Sequence, residues 1–186
     1  MNPNPMNPQQ PASQAKKMST AVIVLIVMGV LFIPCVGCLA AIAIPNFIRF
    51  QARSKQSEAK SNLKAAYIGQ KSLLGEKDVL GTRANDIGFS PDRSRYLYLI
   101  GEDELAPTFP GATTTGLRDG VPADLLAELD PEGQCPDDCT ITMIAAGNID
   151  NDATVDVWSV SMKARTIGGV PVPAGQPYNH INDVSE

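Results

Sequence analysis

The sequence has a single histidine, His180, and no nucleophile motif, phosphate-binding glycine loop or paired general acid and base. A lone histidine with no adjoining Ser, Cys or Asp constellation reads as a surface residue in a loose tail, not a catalytic base. Enzymatic chemistry is not expected. Basic residues are also scarce distally: from Ala66 to Glu186 there are 8 Lys and Arg against 19 Asp and Glu, a net of −11. Nucleic-acid phosphates need clustered Lys and Arg, and no basic patch with interleaved aromatics occurs, so a nucleic-acid partner is excluded. Charge of either sign is missing over the 24 residues from Ala21 to Ile44.

That uncharged run, AVIVLIVMGVLFIPCVGCLAAIAI, is the dominant feature. A bilayer core of about 30 Å is crossed by roughly 20 apolar residues, so the run is long enough to span it as a helix. Lys16 and Lys17 flank it on one side, and Arg49, Arg53 and Lys55 on the other. Positive flanks on both sides leave orientation undecided by charge alone. Ahead of it, residues 1–18 are rich in Pro, Asn and Gln and cannot bury enough apolar surface to offset their ordering entropy, which predicts a disordered tail. A cleaved secretory signal is the competing reading, disfavoured by the length of the run. A lipoprotein signal ending at Cys38 is disfavoured by Cys35 standing where an aliphatic residue belongs.

The helical pattern carries on beyond the apolar run. Ala52, Ala59, Leu63, Ala66 and Leu73 recur at steps of 7, 4, 3 and 7, one stripe on a helix whose remaining surface carries Arg53, Lys55, Lys60, Lys64 and Lys71. Gly75 is the expected stop. A helix from Ser19 to Leu74 would be on the order of 80 Å long at 1.5 Å per residue. Pro34 and Pro45 each remove a backbone donor, so kinks or local unwinding are expected there. The resulting division is residues 1–18 as tail, 19–48 as transmembrane helix, 49–75 as its amphipathic continuation and 76–186 as a head.

Gly37 together with LAAIAIPNFIRFQARSKQSEAKSNLKA, from Leu39 to Ala65, resembles the N-terminal helix of type IV pilins and of the related type II secretion pseudopilins. The resemblance covers about a third of the chain, and the block from Leu39 to Lys55 is its most specific part. It implies an α+β fold in which a long N-terminal helix packs on a small antiparallel sheet. It implies a bacterial inner-membrane location before assembly, with the N-terminus cytoplasmic and the head periplasmic or on a pilus. The implied partners are other pilin or pseudopilin subunits, with packing through Gly37, Ala40, Ala41, Ile42, Ile44, Pro45, Phe47 and Phe50. Family members also carry glycine, phenylalanine and glutamate at positions that fall on Ile23, Val24 and Met28 here. The chain departs from the family at all three, so the likeness implies a spine without implying leader cleavage, N-methylation or the usual buried glutamate. Two readings follow: a structural filament subunit, or an uncleaved membrane-anchored module that binds a partner or calcium through its head.

Within the head, Tyr96 to Ile100 reads as a strand and Ala123 to Leu129, between Pro122 and Pro131, as a short helix. Thr140 to Ala146 and Thr154 to Met162 read as a hairpin, with Val157 beside Trp158 marking a strand buried on both faces or a bulge. Gly168 to Glu186, rich in Gly and Pro, is expected to lack regular structure.

In the exported location that the resemblance implies, Cys135 and Cys139 are expected to form a disulfide, with free thiols as the alternative. Zinc would need two further Cys or His ligands and is rejected. Cys35 and Cys38 stand at a CxxC spacing, but inside a membrane helix they read as small packing residues. Asn148, Asp150, Asp152 and Asp156 alternate as the oxygen ligands of a calcium loop do. An EF-hand would have Gly at Ala153 and Glu at Ser159, so the competing reading is an Asx-rich turn. Calcium is the one candidate ion, and no other cofactor is expected.

Overall fold

A computed structural model describes residues 19–150 and 154–184. The expected tail over residues 1–18 and Asp152 of the candidate calcium loop lie outside the described residues, as do the side chains of Cys35 and Pro45. The chain divides into two compact units, Met1–Asn46 and Phe47–Glu186. Helix α1, Thr20–Lys77, contributes to both.

In the first unit the helix continues through Pro34 and Pro45 without a break, contrary to the local unwinding expected there. Beside Pro45, where the backbone lacks a donor, the Asn46 side-chain amide donates to the Ile42 carbonyl at 3.0 Å. The large side chains from Val22 to Ile44 are exposed. The helix is long and apolar enough to cross a membrane, and none of its most apolar stretch is buried within the protein.

In the second unit, α1 lies with one face in the core. The buried positions are Ala52, Gln56, Ala59, Leu63, Ala66, Gln70 and Leu73, a spacing of three and four residues throughout. α1 ends two residues past Gly75: Asp78 adopts a left-handed backbone (φ 56°) and its N–H closes on the Leu74 carbonyl at 3.0 Å. A left-handed residue is the usual helix stop, and here an Asp provides it. A 3-10 turn, Ala84–Ile87, follows and lies so close to α1 that a β-carbon on Gly69 would stand 2.2 Å from the Ile87 carbonyl oxygen.

The sheet is antiparallel and runs β2-β1-β3-β4-β7. Its strands are β1 (Leu97–Ile100), β2 (Asp103–Leu105), β3 (Thr142–Gly147), β4 (Asp156–Ser161) and β7 (Tyr178–Ile181). The expected hairpin is β3 with β4, in register from Thr142 opposite Ser161 to Gly147 opposite Asp156. Val157 and Trp158 mark a register shift against β7, and β4 is buried along its whole length. Both sequence expectations for that dipeptide are therefore met.

Burial on both faces has a simple source. On one face Tyr98, Ile100, Met143, Ala145, Trp158 and Val160 pack against the inner stripe of α1. On the other, Leu97, Leu99, Ile144, Ala146 and Val157 pack under Leu117, Val121, Leu125 and Leu129, the last two from and just beyond helix α2, Ala123–Ala127. One half-buried sheet face is common in antiparallel folds; covering both produces near-continuous apolar strands such as Leu97–Ile100. The region from Gly168 onward corrects the expectation of irregular structure. It holds β6 (Val170–Val172), which forms a small hairpin with β5 (Arg165–Ile167) just ahead of Gly168, and the edge strand β7. The observed architecture is α+β, one long N-terminal helix with a five-stranded antiparallel sheet.

Candidate assembly surface and the polar centre of the head

The residues expected to pack a spine all lie on α1. Gly37, Ala41, Ile42, Ile44, Phe47 and Phe50 are exposed, and Ala40 is partly so. Ile42 at 67% and Phe50 at 70% exposure are extreme values for large apolar side chains. Exposed apolar side chains of this size, in each of the two units, mark an interaction with membrane or protein. Gly37, Ala40 and Ala41 let another helix approach closely, while the larger side chains supply contact area.

The head is centred on a buried charge. Asp156, with no exposed surface, accepts hydrogen bonds from Gln56 Nε2 (3.0 Å), Asn179 Nδ2 (2.9 Å), the Tyr96 hydroxyl (2.7 Å) and Trp158 Nε1 (2.5 Å). A buried carboxylate is tolerated when its lone pairs are satisfied, and these four donors arrive from α1, β7, the entry to β1 and β4. Burial, reinforced by the facing carboxylate, pushes the Tyr96 phenol far above its ordinary pKa, which keeps it a donor. Of the four residues considered for calcium, Asp156 is thus turned to the interior, Asn148 is half-buried and Asp150 is exposed. Among the described residues, no group of three or more His, Cys, Asp or Glu is placed to hold a metal ion.

A second polar network joins β4, β7, β5 and α2. Ser159 Oγ lies 2.7 Å from His180 Nε2, Arg165 donates to Ser159 Oγ, and Arg165 donates to Glu128 at 2.7 Å. Thr142 donates to the same Glu128 oxygen at 2.9 Å. Ser159 has no exposed surface, so its pairing with His180 ties two strands together and faces no cleft. Burial, then the nearby Arg165 charge, holds the imidazole below its ordinary pKa, opposed by Glu128 and Asp124. His180 is therefore half-buried in the sheet edge, where a loose surface tail was expected.

Cys135 and Cys139 form the expected disulfide. Its turn is closed at the base by reciprocal backbone hydrogen bonds between Glu132 and Thr140, at 2.9 and 2.8 Å.

Sequence reasoning missed both polar networks. Gln56 and Gln70 stood in plain view as the polar members of an otherwise apolar stripe. The Gln70 amide donates to the Gly81 carbonyl at 2.6 Å and accepts from the Gly81 N–H at 3.0 Å, imitating a strand partner for the loop after α1. Sequence spacing places both glutamines on the inner face but does not name their partners.

A family model, type IV pilin PilA, matches residues 50–106, from the exposed aromatic end of the apolar stretch through β1 and β2. The type IV major pilin protein PilA of Myxococcus xanthus (strain DK1622) is 39% identical over an alignment of 188 residues, which covers 79% of this chain and 85% of that protein. The helix, the sheet beneath its amphipathic half and a relative of this extent agree: the chain belongs to the type IV pilin family.

Proposed function

We propose that this pilin is a non-enzymatic structural subunit, held by α1 in the bacterial inner membrane and then packed with other copies into a pilus. The N-terminus is cytoplasmic and the head periplasmic before assembly. The observation that carries this reading is the exposed apolar surface of α1, continuous in sequence with a helical half whose inner face is committed to the sheet. Leaving the bilayer would present that surface to water at a cost of roughly 25 cal/mol per Å². Burial against the same surface of neighbouring copies removes the cost. Met28 occupies the position of the family's glutamate, so apolar packing around Gly37, Ala40, Ala41, Ile42, Ile44, Pro45, Phe47 and Phe50 supplies the attraction. No cofactor has a part in this mechanism.

Mass spectrometry of the N-terminus in membrane and sheared-filament fractions tests the reading. The subunit is expected in sheared material. An intact Met1 confined to membranes would overturn assembly and leave a permanently anchored module.

A further inference from the structure

Four head cations outside α1 each pair with an acid of the head beyond α1: Arg83 with Glu102 (3.2 Å), Arg118 with Glu104 (3.2 Å), Arg165 with Glu128 (2.7 Å) and Lys163 with Asp138. The outer face of α1 differs. Arg53, Lys60, Lys64 and Lys71 are exposed there and form no ion pair among the described residues. Glu58, the one acid between Arg53 and Lys71, is turned aside to Arg95, whose guanidinium it meets at 2.9 Å.

The face is also shaped for contact. Ser57, Ser61 and Ala65 fall between the cations, so the helix backbone can be approached closely, and Ile68 is 61% exposed. Beside them a groove of about 450 Å³ lies between Ser57, Lys60, Ser61 and Lys64 on α1 and Trp158, Gln176 and Pro177. Lys60 sits over the Trp158 ring, 4.6 Å from its centroid.

The complement is on the same chain. Around the disulfide, Asp130, Glu132 and Asp137 are exposed and form no ion pair among the described residues, since Lys163 is matched by Asp138. One surface of the molecule thus has cations without acids, and another, where Lys163 and Arg165 lie beside Asp130 and Glu132 but are paired with Asp138 and Glu128, has acids in excess of cations.

We propose that the outer face of α1 from Arg53 to Lys71 docks the acidic rim Asp130, Glu132 and Asp137 of a second copy. This rests on the filament reading and adds the polar contact that sets register within it. Charge complementarity specifies orientation and register more than affinity, and apolar spines alone leave register weakly defined. With Met28 in place of the family's glutamate, register in this chain falls to the exposed charges.

The test uses the full-length chain in cells. Lys60→Glu with Lys64→Glu is expected to lower sheared filaments roughly tenfold or more, because like charges meet across the contact. The membrane pool, the Cys135–Cys139 disulfide and protease resistance stay as in the wild type. Asp130→Lys with Glu132→Lys should do the same, and all four changes in one chain should restore assembly. Zero-length carbodiimide cross-linking of filaments built from isotopically mixed subunits should join Lys60, Lys64 or Lys71 of one copy to the rim acids of another. Full assembly by the Lys60→Glu, Lys64→Glu variant would overturn the docking proposal and leave the filament reading intact. Failure of the four-change chain to recover, or mixed-isotope cross-links from these lysines only to other sites, would also overturn it. Absence of wild-type subunits from sheared material would overturn both readings.

Discussion

Gln56 and Asp156 stand 100 positions apart in the chain, and their side chains share a buried hydrogen bond of 3.0 Å. It fastens α1 to the sheet through a charge from which the head cannot withdraw donors without a penalty. Asp156→Ala leaves Gln56, Tyr96, Trp158 and Asn179 without their shared acceptor. Each buried donor left unsatisfied costs about 1–3 kcal/mol, so the expected loss is several kcal/mol. Gln56→Ala removes one donor and should cost about 1–3 kcal/mol. Urea unfolding of the detergent-solubilised chain, followed by Trp158 fluorescence, measures both; a loss below 1 kcal/mol for Asp156→Ala would refute the central role given to this carboxylate.

Two glycines of α1 should respond in opposite directions to alanine. At Gly69 the added methyl would meet the Ile87 carbonyl oxygen at 2.2 Å, whereas at Gly75 nothing stands within 4 Å. Alanine favours a helix over glycine by about 1 kcal/mol. Gly75→Ala should therefore raise stability by up to that amount, while Gly69→Ala should lower it by about 1–3 kcal/mol as the 3-10 turn is displaced. Equal effects at the two sites would refute the close approach.

His180 makes the head sensitive to mild acid. Its folded pKa lies below the unfolded value near 6.5, so the unfolded chain binds the proton first. Stability is complete above the unfolded pKa and falls as pH drops through it, levelling once the folded imidazole titrates. The charged groups facing the ring are Arg165, which disfavours protonation, and Glu128 and Asp124, which favour it. Melting temperature between pH 7.5 and about 5, above ordinary carboxylate titration, should decline in the wild type. The decline should be smaller in His180→Asn.

The disulfide is expected to matter locally. Linking Cys135 to Cys139 closes a very short loop, for which loop entropy amounts to about 2 kcal/mol. Cys135→Ser with Cys139→Ser should lower stability by no more than about that. Amide exchange should quicken around Glu132 and Thr140 and stay unchanged in β1 and β3. Loss of the whole sheet would mean that the turn organises the head instead of decorating it.

The long helix, the central hairpin and the doubly buried β4 were legible because each is encoded locally, in a run of apolar residues or a short β-branched stretch. What escaped is encoded at a distance. The two seven-residue gaps in the apolar stripe, 52 to 59 and 66 to 73, are occupied by Gln56 and Gln70, which are as buried as their apolar neighbours. Their partners Asp156 and Gly81 belong to other elements. Asp156 looked like one member of an alternating acidic loop, because nothing within ten residues of it except Trp158 reveals the donors it meets. Strand β7 and the β5–β6 hairpin were hidden by their brevity and by prolines, which are compatible with edge strands. The apolar helix was legible from its pattern, while the choice of spine residues along it rested on the resemblance to pilins.

The sheet order also governs when this head can take shape. Strand β7 closes the edge beside β4, and Asn182 just beyond it accepts a hydrogen bond from Gln56 at 2.9 Å, 126 positions earlier in the chain. Under the proposed topology, a polypeptide exported N-terminal part first commits α1 to the bilayer long before its last polar partner emerges. Contacts so distant in sequence close late and slowly. Until residues 178–182 follow, Asp156 lacks its Asn179 donor, Gln56 lacks its Asn182 acceptor and the edge of β4 is unpaired, a span in which an unpaired strand edge is open to association. Under the same topology, tethering by the membrane would keep such half-made heads apart, and the anchor would serve as the chain's own protection during folding.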